Sequence, residues 1–207
     1  MRILRRLGAA TVTAPAAIAV IGLIAGLTSP ATWSVKPGGA YTAASTRVEF
    51  TVNSVSVTCT SSTANGTFKS GGGLAAQNIG GISLAFSDCT GPLGAVTVTG
   101  TGFPWQINAV SYDLDTDTAT LQIANINADV SMTDCSFTVS GPSTGTDNGT
   151  VEVKYTNPTG KAAVQHRDGN NLQVNNVSGC DGVVSNGETV TYAATYKLTP
   201  IQTIASP

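Results

Sequence analysis

Apolar residues along this chain recur mostly at every second position, in short runs separated by Gly, Pro, Asn and Ser. That period places alternate side chains on one face of an extended strand. Residues 47–58 carry Val48, Phe50 and Val52 and then, past a turn at Asn53-Ser54, Val55 and Val57. Residues 79–86, 95–99, 105–112, 136–139, 151–155, 162–165 and 172–177 read as further strands. Two runs change phase. Ala119, Leu121 and Ile123 share one face, after which Ala124, Ile126, Ala128, Val130 and Met132 share the other. Such a slip predicts one long strand bent near Ala124, or two strands joined there. The final run starts with Val190, Tyr192 and Ala194, is read with a phase change near Thr195 before Leu198, and ends at Pro200.

Turn chemistry divides these runs. Asn65-Gly66, Thr90-Gly91-Pro92 and 157–160 are predicted turns, Gly71-Gly72-Gly73 interrupts a strand, and 113–117 is a predicted hairpin tip. Residues 32–46 read as a lead-in or a short edge strand. No segment carries a helical stripe. The pattern predicts an all-β fold, a β-sandwich or a Greek-key barrel, built from short strands at roughly ten-residue spacing.

Residues 1–31 carry a different pattern: Arg2, Arg5 and Arg6, an apolar stretch over 7–27, then Ser29-Pro30-Ala31. This order is that of a signal peptide cut after Ala31. An uncleaved anchor is the alternative, because the apolar stretch approaches the length of a bilayer span. The expected mature chain is a single all-β domain over 32–207, with no membrane span after cleavage. Without the leader, seven Lys and Arg face twelve Asp and Glu, a net charge of −5. The remaining cations are scattered, so nucleic acid is not an expected partner.

Export makes disulfides the first reading of the four cysteines. Three pairings are open. The sequential one, Cys59 with Cys89 and Cys135 with Cys180, fits an echo in which each pair encloses Asn-Gly-Thr and its second cysteine is soon followed by glycine. The echo suggests two related half-domains, 47–112 and 116–199. Zinc and thioredoxin-like chemistry want closely spaced cysteines, and these lie 30, 46 and 45 positions apart.

Other chemistry is sparse. Asp113, Asp115 and Asp117 alternate like the start of a calcium loop, but Thr118 and Ala124 stand where that loop has its glycine and final glutamate. A solvated acidic tip is the competing reading. His166, the sole histidine, adjoins the polar turn Arg167-Asp168-Gly169-Asn170 and lacks a nucleophile elbow. Asp113, Asp129, Asp134, Glu152 and Glu188 supply carboxylates for glycosidase chemistry without selecting a pair. No cofactor motif is present. Trp105, Tyr112, Tyr155 and Tyr192, with Tyr196, are candidates for an interaction face, with core packing as the rival reading. Asn65, Asn148 and Asn176 begin Asn-X-Ser/Thr triplets, read as turn or surface-strand positions.

The segments Asp88-Cys89-Thr90-Gly91-Pro92, Cys135-Ser136-Phe137-Thr138-Val139-Ser140-Gly141 and Val177-Ser178-Gly179-Cys180-Asp181-Gly182, with the export signal, carry one further signal. The chain resembles an uncharacterised family of secreted β-rich proteins of actinobacteria. The resemblance implies an extracytoplasmic β-domain and transfers no catalytic residue. The expected function is a non-catalytic secreted or envelope-associated module that binds an extracellular protein or a cell-wall polysaccharide. A structural surface protein and a carboxylate-dependent glycoside hydrolase are the alternatives.

Overall fold

The computed structural model describes residues 32–53, 55–142, 149–164 and 171–207. The predicted signal peptide, Asn148 and His166 lie outside the described residues. Residues from Ala31 onward form a single compact unit. Fifteen strands are described, together with one 3-10 turn at Asn157–Thr159.

Eight wall positions close into a barrel. In order around the wall they are β2 (Gly39–Ser45), β4 (Val55–Phe68), β6 (Gly80–Gly91), β8 (Trp105–Asp113), β9 (Thr118–Met132), β11 (Gly149–Thr156), β12 (Lys161–Val164) and β14 (Val190–Thr199). β14 then pairs with β2 and completes the ring, every pair being antiparallel. β4, β6, β9 and β14 continue into a second tier. There the intervening positions are taken by β3 (Val48–Val52), β7 (Gly94–Thr101), β10 (Cys135–Ser140) and β13 (Gln173–Ser178). A Gln173–Thr189 bridge and the Val190 N–H to Leu172 carbonyl bond link β13 to the start of β14. Closure removes the exposed edges that an open sheet of this size would present.

The period-two pattern explains which way the side chains face. Val151, Val153 and Tyr155 of β11 are buried, as are Val190, Tyr192, Ala194, Tyr196 and Leu198 of β14. β14 therefore alternates without a slip, correcting the phase change expected near Thr195. The slip in β9 is present. Ala119, Leu121 and Ile123 face inward on one side of it, and Ile126, Ala128 and Val130 on the other. Asn125 absorbs the extra residue at φ 63°, opposite a register shift between Gly149 and Val151 of β11. β9 is thus one strand of 15 residues with a bulge, not two.

Two local expectations are corrected. Residues 32–46 are not an edge: β2 is an internal wall strand, and only β1 (Trp33–Lys36) precedes it. Asn65-Gly66 is not a turn but lies within β4. Glycine is needed there for close approach. Its register partner Tyr41 lays its ring across the site, and an added Cβ would sit 2.5 Å from that ring and collide with the Gly81 carbonyl.

β1 lies between β15 (Thr203–Ala205) and β5 (Gly71–Leu74) in a separate three-stranded sheet. Trp33, Val35 and Ile204 from this sheet join the barrel residues in one buried cluster. The first four wall positions come from residues 39–113 and the other four from 118–199, so each half of the sequence builds half of the wall. In the first half the long strands are the inner pair, β4 and β6. In the second they are the outer pair, β9 and β14. The halves share a core without sharing a layout.

Candidate interaction surface

Each disulfide lies within its own half of the wall. Cys59 on β4 and Cys89 on β6 are register partners and are bonded. Cys135 opens β10 and is bonded to Cys180, just beyond β13. All four cysteines are buried in the tier formed with β3, β7, β10 and β13.

The aromatic candidates do not form an outward platform. Trp105, Tyr155 and Tyr192 occupy the inward phase of β8, β11 and β14 and are buried. The Trp105 indole donates to the Thr101 carbonyl at 2.9 Å. The Tyr155 hydroxyl donates to the Gln202 carbonyl at 2.8 Å and accepts from the Gln202 N–H at 2.9 Å. Tyr112 is half-buried and donates to Asp117 Oδ1 at 2.6 Å.

Inside the barrel a chain of hydroxyls crosses apolar surroundings. Ser62 Oγ donates to the Ala85 carbonyl at 2.8 Å, and Tyr196 donates to Ser62 Oγ at 2.9 Å. With both of those protons spent, the 2.5 Å contact between the two phenols is made by Tyr192 donating to Tyr196. Burial pushes both phenols up, Tyr192 furthest.

The acidic tip is organised by its own hydrogen bonds. Asp113 Oδ1 accepts from the backbone N–H groups of Asp115 and Thr116 at 2.9 and 3.3 Å. Hydrogen bonds from the Thr116 side chain, then from these amides, hold Asp113 below its ordinary carboxylate value. Asp117 points elsewhere, accepting from Tyr112 and from Asn157 Nδ2 at 2.7 Å, and these two donors hold it low as well. The three aspartates do not converge. Among the described residues no group of three His, Cys, Asp or Glu side chains could hold a metal ion.

Other described carboxylates have partners or neighbours of their own. Glu152 pairs with Lys154 at 3.2 Å, Glu188 accepts from the Ser185 N–H, and Asp129 stands between Thr99 and Thr138 on the wall. Lys154 also donates to Thr120 Oγ1 at 2.6 Å.

Two interior cavities of about 50 Å³ each sit above and below Leu84, Ile123 and Tyr192, and neither has a charged residue in its wall. An apolar cavity must approach about 150 Å³ to take a benzene-sized guest. The interior is therefore a packed core and not a ligand chamber. Hydrogen-bonding groups lie outside: β2, β4, β7 and β14 expose chiefly Thr, with Ala, Gly, Ser56, Asn65 and Lys197. On β8 and β9 an amide ladder runs from Gln106 to Asn108 at 2.8 Å and on to Gln122 at 3.4 Å. This is the reverse of a transmembrane barrel, whose lipid-facing positions are apolar. Among the described residues no helix is long and apolar enough to cross a membrane. No family model, curated protein or solved structure matches the chain.

Proposed function

We propose that this protein is a non-catalytic extracytoplasmic module that binds a cell-wall polysaccharide through the outer wall of its barrel. One observation carries the reading: most apolar side chains pack into the core, while the exposed positions of the closed, disulfide-stapled wall are rich in Thr and other hydrogen-bonding side chains. Hydroxyl and amide groups on a rigid sheet complement sugar hydroxyls without needing a cleft. The leader-like first 31 residues, two disulfides and the actinobacterial resemblance support a place on the outer side of the cell envelope. A glycosidase needs two carboxyl groups facing one bond, and among the described residues Asp113, Asp117, Glu152 and Glu188 are engaged with their own neighbours.

The test is retention of the oxidised protein on native cell-wall material, with culture-supernatant proteins immobilised in parallel. Saturable retention on the wall material is expected. Retention on neither, or on the supernatant proteins alone, overturns the reading.

A further inference from the structure

The charges on the wall are unevenly placed. β12, β14, β2 and β4 are consecutive neighbours and contain no Asp or Glu, although the chain has twelve. Two of its few cations stand on this stretch, Lys161 on β12 and Lys197 on β14, and they are direct register partners. Both are exposed. Like charges placed opposite each other across a strand pair repel and lower stability. No carboxylate among the described residues relieves them, since the ion pairs there are Arg47–Glu49 and Lys154–Glu152.

Both lysines are held at the same turn. Lys197 Nζ donates to the Thr159 carbonyl, and the Lys161 backbone N–H donates to Thr159 Oγ1 at 3.3 Å. Beyond Lys197 the row continues through Ala44 and Thr63, so a small residue leaves the ammonium uncovered on that side. The adjacent row runs Thr199, Thr42, Asn65, Ser83, three exposed side chains and one half-exposed, all short and able to hydrogen-bond.

We infer that this wall is a binding site for a linear uronate-bearing polysaccharide. Lys161 and Lys197 together take a sugar carboxylate, and the Thr42–Asn65–Thr199 row meets the hydroxyls of the neighbouring unit. Charge complementarity selects the occupant: these four strands carry no carboxylate, and Glu49 of β3, which lies between β14 and β4 in the second tier, is paired with Arg47, so on a protein that is acidic overall this stretch is the one that suits a polyanion. The short side chains suit an extended polymer lying across the strands. The inference rests on the polysaccharide-binding reading above and names its ligand and site.

The test is affinity electrophoresis of the full oxidised protein at low salt, in gels containing polygalacturonate, neutral dextran or polyglutamate. Polygalacturonate should retard the wild type, dextran should not, and polyglutamate should do so at least tenfold less. K161Q/K197Q should lose at least tenfold in polygalacturonate affinity while keeping the wild-type circular dichroism, since the relief of repulsion offsets the lost Lys197–Thr159 bond. T42A/N65A should weaken polygalacturonate binding and leave the residual polyglutamate response unchanged. Equal retardation of K161Q/K197Q and wild type overturns the site, no retardation of wild type by polygalacturonate overturns the ligand, and equal affinity for polyglutamate overturns the sugar contacts. Retention on native wall material that survives K161Q/K197Q also sinks this inference, while leaving the broader reading in place.

Discussion

The carboxamide of Asn157 pairs with the backbone of Ile204 as a neighbouring strand would, Oδ1 accepting from the Ile204 N–H at 2.8 Å and Nδ2 donating to its carbonyl at 3.0 Å. Two residues earlier on each segment the Tyr155 phenol does the same for Gln202. Side chains from the end of β11 and the turn after it thus complete the outer edge of β15. Asn157→Ala leaves two buried backbone groups unpaired and should cost about 2–3 kcal/mol, read by urea unfolding. Native-state hydrogen exchange should speed up at Ile204 more than at Leu121, and equal protection there would contradict this account.

Gly66 is the second sensitive point. Gly66→Ala must displace the Tyr41 ring or part β4 from β6, since the added methyl meets both that ring and the Gly81 carbonyl. A loss of about 1–3 kcal/mol is expected from overpacking of this kind. The exposed Gly72, whose added Cβ would meet nothing within 4 Å, is the control.

The hydroxyl chain through Tyr192, Tyr196 and Ser62 predicts an asymmetry. Tyr196→Phe leaves the Tyr192 hydroxyl buried without an acceptor and should cost about 1–3 kcal/mol, whereas Tyr192→Phe removes only the terminal donor and should cost about 0.5–1.5 kcal/mol. The double variant should cost less than the two singles added together. Equal single costs would place the protons differently.

All five tyrosines are held above their ordinary value. Burial is the main cause for Tyr41, Tyr155, Tyr192 and Tyr196, and the hydrogen bond to Asp117 for Tyr112. A raised folded value means that the native state holds its protons more tightly. The associated stability is complete below the unfolded value near 10 and is lost as pH rises beyond it. Tyrosinate absorbance of the native protein should therefore lag behind that of the urea-unfolded chain and rise together with alkaline unfolding. Free titration near pH 10 with circular dichroism unchanged would disprove this.

The two disulfides span 30 and 45 residues, which in the chain-entropy treatment is worth about 4 kcal/mol each. Cys59→Ala/Cys89→Ala leaves β4 and β6 paired along their register on both sides of the lost bond. Cys135→Ala/Cys180→Ala instead frees the segment after β13, which the Asn186 side chain and a few backbone bonds still hold. Limited proteolysis should cut the second variant within 179–189 while leaving the first intact at those sites.

Much of the wall was legible in the chain because burial in a barrel imposes a period of two. The slip between Ile123 and Ile126 marked the β9 bulge, since no straight strand can keep both sets of side chains inside. The same logic failed at Asn65-Gly66. A local turn preference cannot register Tyr41 and Gly81, which come from other strands and press on that glycine. It failed also for β2, whose alternating Tyr41 and Ala43 offered too little apolar area to reveal a central position. Trp105, Tyr155 and Tyr192 were ambiguous for a related reason: an aromatic residue on a strand fits a core or a platform equally, until the closed sheet gives its face a direction.

By itself the sequence determined the strand class, the inward phase of most strands, the acidic balance of residues 32–207 and the cysteines available for stapling. These follow from neighbours close in the chain and from composition. Only the tertiary structure decided that the strands close on one another, that Cys59 and Cys89 stand opposite, that Asp113 and Asp117 turn apart, and that Lys161 meets Lys197 where β12 pairs with β14. Each of those depends on register between strands separated in sequence, where backbone hydrogen bonds and core packing choose the partner and no local pattern records the choice.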